Sequence, residues 1–261
     1  MSVRERAEHL RALHHGDEPL VLPNVWDAAS AVVVASVPGC RAIATSSAGV
    51  ATALGYPDGE RISAAEMLDM VARIARVVTL PVTADLEAGY GDVERTVRGA
   101  VQAGAAGLNL EDGNGPMEAH VERLRVARAT SEALDVPLVL NARVDVFLPG
   151  GSGDADEAVE RGNAYLDAGA DCAYPIGVTD REVVRRLAQG IRGPINVHAA
   201  ADGPSVAELA ELGVRRISVG SLLHRAAFGA AREAARELLD AGTYEWARAA
   251  VSSAEVAAPL G

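Results

Sequence analysis

VVTLPVTADLEAGYGD (residues 77–92) holds an apolar run, then two carboxylates two positions apart, then a Gly-Tyr-Gly turn. Val77–Val82 reads as a buried strand. Side chains two apart on a strand point the same way, so Asp85 and Glu87 are aimed at one place. The helical pattern DVERTVRGAVQAG follows at once, which makes the stretch one strand–helix unit.

The unit repeats. Short apolar strand candidates begin near Leu20, Ala42, Pro81, Gly107, Pro137, Asp171, Pro194 and Arg216, with successive starts 22 to 39 residues apart. Between them lie helical patterns such as AAEMLDMVARIARVV, which puts Met67, Met70, Val71 and Ile74 on one face. Three of these end in QAGAAG (102–107), DAGADC (167–172) and ELGVRR (211–216), each with Gly where a helix needs a left-handed terminus. Eight such units predict an α/β fold, a (β/α)8 TIM-type barrel. A doubly wound open sheet is the weaker alternative, because no G-x-G-x-x-G follows the first strand. The boundaries expected are one barrel domain over 1–261, with the barrel over about 18–225 and two further helices over about 226–258.

Composition narrows the chemistry. The chain has 261 residues, 49% of them hydrophobic, enough for one full core. No apolar run approaches a membrane span, and the charged N-terminus lacks a signal-peptide core. A cytoplasmic protein is expected. The formal net charge of −12 disfavours nucleic acid as a partner. Cys40 and Cys172 match no metal or redox spacing and read as buried thiols. All 24 Lys+Arg residues are Arg. Without lysine, Schiff-base aldolase, lysine-bound pyridoxal phosphate and P-loop chemistry are excluded. Charge developing beside a carbonyl must then be stabilised another way, with a metal ion the obvious means.

In such barrels chemistry sits at the strand C-terminal ends. There the sequence places Ser46-Ser47-Ala48-Gly49, Asp85 and Glu87, Glu111-Asp112, then Asn141, Arg143 and Asp145, then Asn196 and His198, and finally Gly220-Ser221. Asp85, Glu87 and Glu111 on adjacent strands repel one another unless they share a proton or bind a cation. An all-oxygen set suits Mg²⁺ or Mn²⁺, with Asp85 direct and the others through water. The alternative is a buried network of these acids with Arg143. Arg143 can grip a carboxylate in two bonds, or form a structural pair with Asp145 or Glu111. The Ser46–Ser47 turn can hold an anion on its N–H groups. His198 is either a proton donor or a structural histidine, while His9, His14 and His15 read as solvated.

SSAGVATALGYPDGE, TADLEAGYGD, LNLEDG and NARVDVF together, in order over roughly residues 18–225, resemble the isocitrate lyase/phosphoenolpyruvate mutase superfamily, in its mutase-like branch. The resemblance implies metal-binding roles for Asp85, Glu87 and Glu111, with Asp58 reaching the metal waters. It implies substrate binding by Ser46, Ser47, Ala48, Arg143 and Asn196. It also implies a C-terminal helix exchanged between subunits of a homodimer or homotetramer. Isocitrate and 2-methylisocitrate lyases carry a Lys-Lys-Cys-Gly-His loop after strand four and a Glu after the proline of strand six. Here those positions read EDGNGPMEAH and Ile176. The mutases carry a lysine in the same loop, which is also missing. The expected activity is a Mg²⁺-dependent carbon–carbon lyase or decarboxylase acting on a small 2-hydroxy or 2-oxo acid through a metal-stabilised enolate. Arg143, Asp58 and His198 are its catalytic candidates. The alternatives are carbon–phosphorus chemistry on phosphonopyruvate and a non-catalytic barrel that binds an oxo acid.

Overall fold

A computed structural model describes residues 1–257. Its first strand, β1, comes in two pieces, Leu20–Leu22 and Asn24–Val25, because Pro23 between them has no N–H to give a ladder. Seven strands follow: β2 (Ile43–Thr45), β3 (Val82–Asp85), β4 (Gly107–Glu111), β5 (Val139–Val144), β6 (Cys172–Pro175), β7 (Asn196–His198) and β8 (Arg216–Ser218). All pairings are parallel. The second piece of β1 pairs with β2, and the order runs on through β6. The first piece pairs with β8, which pairs with β7. A single bridge, Ala173 to Ile195, joins β6 to the start of β7. The strands therefore close a ring, the (β/α)8 barrel expected from the sequence.

The helices are α1 (Val3–Leu13), α2 (Ala28–Ala35), α3 (Ser47–Ala53), α4 (Ala64–Val77), α5 (Val93–Ala103), α6 (Met117–Ala133), α7 (Ala155–Asp167), α8 (Arg181–Gly190), α9 (Val206–Glu211), α10 (Leu222–Asp240) and α11 (Ser253–Ala257). Ser2, Asp27, Ser63 and Ser205 cap their helices reciprocally with the residue three further on. The punctuating glycines Gly104, Gly169 and Gly213 all have φ between 93° and 108°, the left-handed conformation that the repeats called for.

Period two sorts the strand residues. Ala84, Leu86, Leu108, Leu110, Leu140, Ala142, Val197 and Ile217 are buried against the helices. Their alternates, Asp85, Asn109, Arg143, Tyr174, His198 and Ser218, face the barrel axis and line a cavity at its C-terminal end. Helix α1 closes the other end: Leu10 lies where a Cβ on Gly107 would touch it, and Arg11 reaches Asp171 at 3.2 Å.

Four expectations need correction. The strand read over Val77–Val82 begins only at Val82, and Val77 is the last residue of α4. Cys40 is half-buried, not buried. His14 is buried, not solvated, because it ends the helix that plugs the barrel, and its Nδ1 bonds the Leu10 carbonyl at 2.8 Å. The second C-terminal segment is not one helix. Gly242, at φ 64°, breaks the chain direction after α10, and the segment beyond it forms a 3-10 turn, Glu245–Ala249, and short α11. The expected end near 258 lies outside the described residues. Among the described residues, no helix is long and apolar enough to cross a membrane.

Candidate active site

The cavity at the C-terminal mouth has a volume of about 160 Å³. A larger groove of about 690 Å³ runs between α4 and α5, but none of the strand-end acids at the mouth lines it. Asp85 and Arg143 line the smaller space instead.

Ser47 opens α3 directly after β2. Its N–H and its hydroxyl both donate to Oδ2 of Asp85, at 3.1 and 2.8 Å. Thr45 Oγ1 accepts the Asp85 N–H at 2.8 Å, fixing the residue from below. Asp85 Oδ1 takes no hydrogen bond from any described residue. Ser46 is the N-cap of α3, its hydroxyl accepting from Gly49 N–H at 3.2 Å. Ser46, Ser47, Ala48, Asp58, Arg143 and His198 all line the cavity.

Glu87 and Glu111 stand one step further along the strands and outside that lining. Glu111 donates its N–H to the Glu87 carbonyl at 2.9 Å. Glu87 has φ 50°, and its carboxylate accepts from Glu60 N–H and from the Tyr90 hydroxyl. Tyr90 N–H donates back to Glu60 Oε1 at 2.7 Å, and Glu60 and Tyr90 have φ of 54° and 55°. This clasp ties the loop that carries Asp58 to the turn after β3.

Arg143 realises both structural pairings weighed from the sequence. Its Nε and Nη2 donate to Asp145 at 2.6 and 3.0 Å, and its Nη2 also pairs with Glu111. Burial works against its charge, but the Asp145 hydrogen bonds and the charges of Asp145, Glu111 and Asp85 hold its pKa above the ordinary value. Asp112 turns away from the cavity, accepting from Arg161 and from the Tyr165 hydroxyl at 3.0 and 2.7 Å.

The carboxyls repel one another. Burial raises the Glu111 pKa to about 8, with Asp85, Asp145 and Glu87 adding to it against Arg143. Burial, then the charge of Asp85, raises Asp58. Burial likewise raises Glu87, against its hydrogen bonds. Among the described residues no three acidic, His or Cys side chains are close enough to cage a bare ion. One Asp85 oxygen without a donor, beside several carboxyls that share the cation Arg143, fits an oxygen-loving divalent ion held by one direct carboxylate and by water.

His198 reaches the cavity wall. Its Nε2 would lie 2.7 Å from a Cβ on Gly220, whose φ of 51° also favours glycine. Burial lowers its pKa, against hydrogen bonds to the Val219 backbone and its own. Asn196 is fully buried and does not line the cavity. It exchanges hydrogen bonds with Ser218 at 3.2 and 3.3 Å and so sits behind a lining residue. Asn24, Asn109 and Ser218 line the site but were not singled out from sequence. Asn24 Oδ1 accepts from Val219 and Gly220 N–H groups at 2.9 and 3.0 Å, shaping the last strand end. For two of them the signal was available: Asn109 and Ser218 sit two positions before Glu111 and Gly220, which were singled out.

A closed parallel barrel with an acid–arginine cluster at its C-terminal mouth defines the class of TIM-barrel enzymes. A family model described as phosphoenolpyruvate phosphomutase matches residues 10–239. The chain belongs to that family, within the isocitrate lyase/phosphoenolpyruvate mutase superfamily, and is an enzyme of its carbon–carbon lyase type. The 2-methylisocitrate lyase of Escherichia coli is 32% identical over 211 residues, covering 75% of this chain and 70% of that protein. An oxaloacetate decarboxylase of Bradyrhizobium is 31% identical over 251 residues, covering 92% and 86%. The structure of oxaloacetate acetylhydrolase with 3,3-difluorooxalacetate superposes with a TM-score of 0.87 at 28% identity, covering 98% of this chain and 93% of that one.

Proposed function

We propose that the protein breaks a carbon–carbon bond in a small 2-hydroxy or 2-oxo dicarboxylic acid, by retro-aldol cleavage or decarboxylation, with Mg²⁺ or Mn²⁺ as cofactor. The observation that carries this reading is Asp85, held by two donors from Ser47 on one oxygen and free on the other, in the same small cavity as Arg143. When bound there, a divalent cation supplies Lewis acidity. Asp85 is its direct ligand in this reading, with Asp58, Glu87 and Glu111 acting through water.

Arg143 binds a substrate carboxylate and stabilises negative charge as the bond breaks. Its guanidinium is held in place by Asp145, so that charge is preorganised. Ser46, Ser47 and Ala48 bound the oxo-acid end. The Asp58 carboxyl keeps a proton more readily than an exposed one and moves it at the cavity edge. His198, kept neutral by burial, accepts or returns a proton at its ring nitrogen. A cavity of about 160 Å³ suits a small diacid; drug-sized ligands need ~300 Å³ or more. The five-residue loop Asp112–Pro116 holds no lysine, which disfavours mutase chemistry.

Helix α10 exposes Leu223, Phe228, Leu238 and Leu239. A cytoplasmic homo-oligomer, dimer or tetramer, that covers this helix belongs to the same proposal. Light scattering on a sizing column reads its mass, and a monomer at micromolar concentration would end that part of it.

The activity test is turnover of oxaloacetate and substituted malates with and without Mg²⁺. Free Mg²⁺ also decarboxylates oxaloacetate, so Asp85→Ala is the control. Turnover that survives chelation, or that is unchanged in Asp85→Ala, overturns the reading. Phosphorus NMR of phosphonopyruvate incubations reads out the carbon–phosphorus alternative.

A further inference from the structure

Arg216 is the bulkiest side chain in the protein with no exposed surface. It lies on β8 two residues before Ser218, so it shares the axis-facing side one layer beneath the cavity. Interiors of such barrels are ordinarily filled with branched apolar side chains. Here the layer is polar: Thr83, Asn109, Asn141, Asn196 and Arg216 are all buried.

The partners of Arg216 are neutral. Its side chain crosses from β8 to β4, where Nη2 donates to Asn109 Oδ1 at 3.1 Å. Asn141 Nδ2 donates to the same oxygen at 2.8 Å. On the floor side Nη1 lies 3.4 Å from His14 Nε2. His14 Nδ1 meets the Leu10 carbonyl, so it carries the ring proton and leaves Nε2 as the acceptor for Arg216. No carboxylate forms an ion pair with Arg216 among the described residues, and its Nε has no hydrogen-bond partner.

Taking a guanidinium wholly out of water is costly, and a well-packed apolar residue fills such a site at least as stably. Its stability role is therefore poor, and its position is informative. Asn109 links it to the cavity. Burial lowers its pKa, against smaller opposing effects of Cys172, Tyr174 and the Asp85 charge above it, and a guanidinium keeps its proton even so. In a low-dielectric interior a fixed charge acts at longer range than it does in water.

We infer that Arg216 is an electrostatic positioning residue: a buried cation beneath the cavity floor that stabilises the second negative charge of a 2-oxo-acid enolate. This rests on the reading of the site given above. Arg216 touches no substrate. It acts by its field and by orienting the Asn109 amide.

The test is calorimetric binding of oxalate, a planar dianion shaped like such an enolate, with Mg²⁺ at pH 7. It is run on the wild type, Arg216→Gln, Arg216→Met and Arg216→Lys, with melting curves for each. Expected are unchanged or higher melting temperatures in Arg216→Met, and oxalate bound about 10-fold or more weakly by both neutral variants. Arg216→Lys should recover part of the loss. On substrate, kcat should fall about 10- to 100-fold with KM changed far less. Wild-type oxalate affinity in Arg216→Gln overturns the inference alone. Loss of the folded state in both neutral variants makes Arg216 a strut and also overturns it. A wild-type protein that binds no oxalate with Mg²⁺ overturns the reading of the site, and the inference with it.

Discussion

Ser47 donates its backbone N–H and its hydroxyl to the same oxygen of Asp85, at 3.1 and 2.8 Å. The first residue of α3 thus orients an acid that β3 supplies. Ser47→Ala removes the hydroxyl half of that hold. Groups that orient a metal ligand are worth 10- to 100-fold in affinity. Mn²⁺ affinity by calorimetry should fall by about 10-fold in Ser47→Ala and become undetectable in Asp85→Ala. Equal affinity in all three proteins would remove Asp85 as the ligand.

Glu60, Tyr90 and Glu87 form a clasp of three left-handed residues that locks the Asp58 loop to the β3 turn. In Tyr90→Phe the Glu87 carboxylate loses one of its two donors. Hydrogen exchange of amides 58–62 should accelerate, with kcat lowered about 5- to 10-fold and global stability changed by about 1 kcal/mol. Unchanged exchange in that loop would show that the clasp does not hold it.

Acid should destabilise the fold early. His120 is fully buried against Tyr165, and burial lowers its pKa to about 3, with the Arg123 charge adding. Burial, then the Arg216 charge, takes His14 to about 3 as well. In the unfolded chain both take up protons near 6.5, so between 6.5 and 3 the unfolded state binds more. Their contribution is whole above pH 6.5 and is lost as pH falls toward 3, with a slope of about 1.4 kcal/mol per pH unit for each histidine. Glu111, raised to about 8, contributes the opposite slope over the same range, so the readout is the difference between variants. In urea melts between pH 7 and 5, His120→Phe should lose stability with acid less steeply than the wild type, by about 1.4 kcal/mol per pH unit. Equal slopes in the two proteins would contradict the burial of a neutral His120.

Cys172 is fully buried, and its pKa is pushed up to about 12 by burial. Native protein at pH 8 should leave it unalkylated by iodoacetamide for hours, whereas unfolded chain reacts in minutes, as mass spectrometry reads directly.

Much of this was legible in the order of residues. The strand starts near Leu20, Gly107 and Arg216 coincide with the observed ones, because apolar runs ended by glycine turns are local signals. Asp85 and Arg143 were found by period two at strand ends. His14 was misread because local sequence shows a charged helix end, while the barrel floor it enters is built by strands far along the chain. Asn196 was placed in the substrate shell, yet Ser218 stands in front of it. That geometry comes from the β7–β8 register, which no local pattern encodes. Arg216 was passed over for the same reason. Its partners, Asn109 and His14, are 107 and 202 positions away.

That separation has a consequence for the order of events in synthesis. The seam between β1 and β8 joins residues 20–22 to 216–218. A chain still on the ribosome, with β8 in the exit tunnel, is an open arc with one bare edge at β1 and another at β7. Asn109 and His14 meanwhile wait for a cation that has not yet emerged. The last strand to emerge brings both the edge that seals the ring and the charge that sits inside it. Closure is thus a late, long-range event, and its speed is set by topology more than by the strength of any local element.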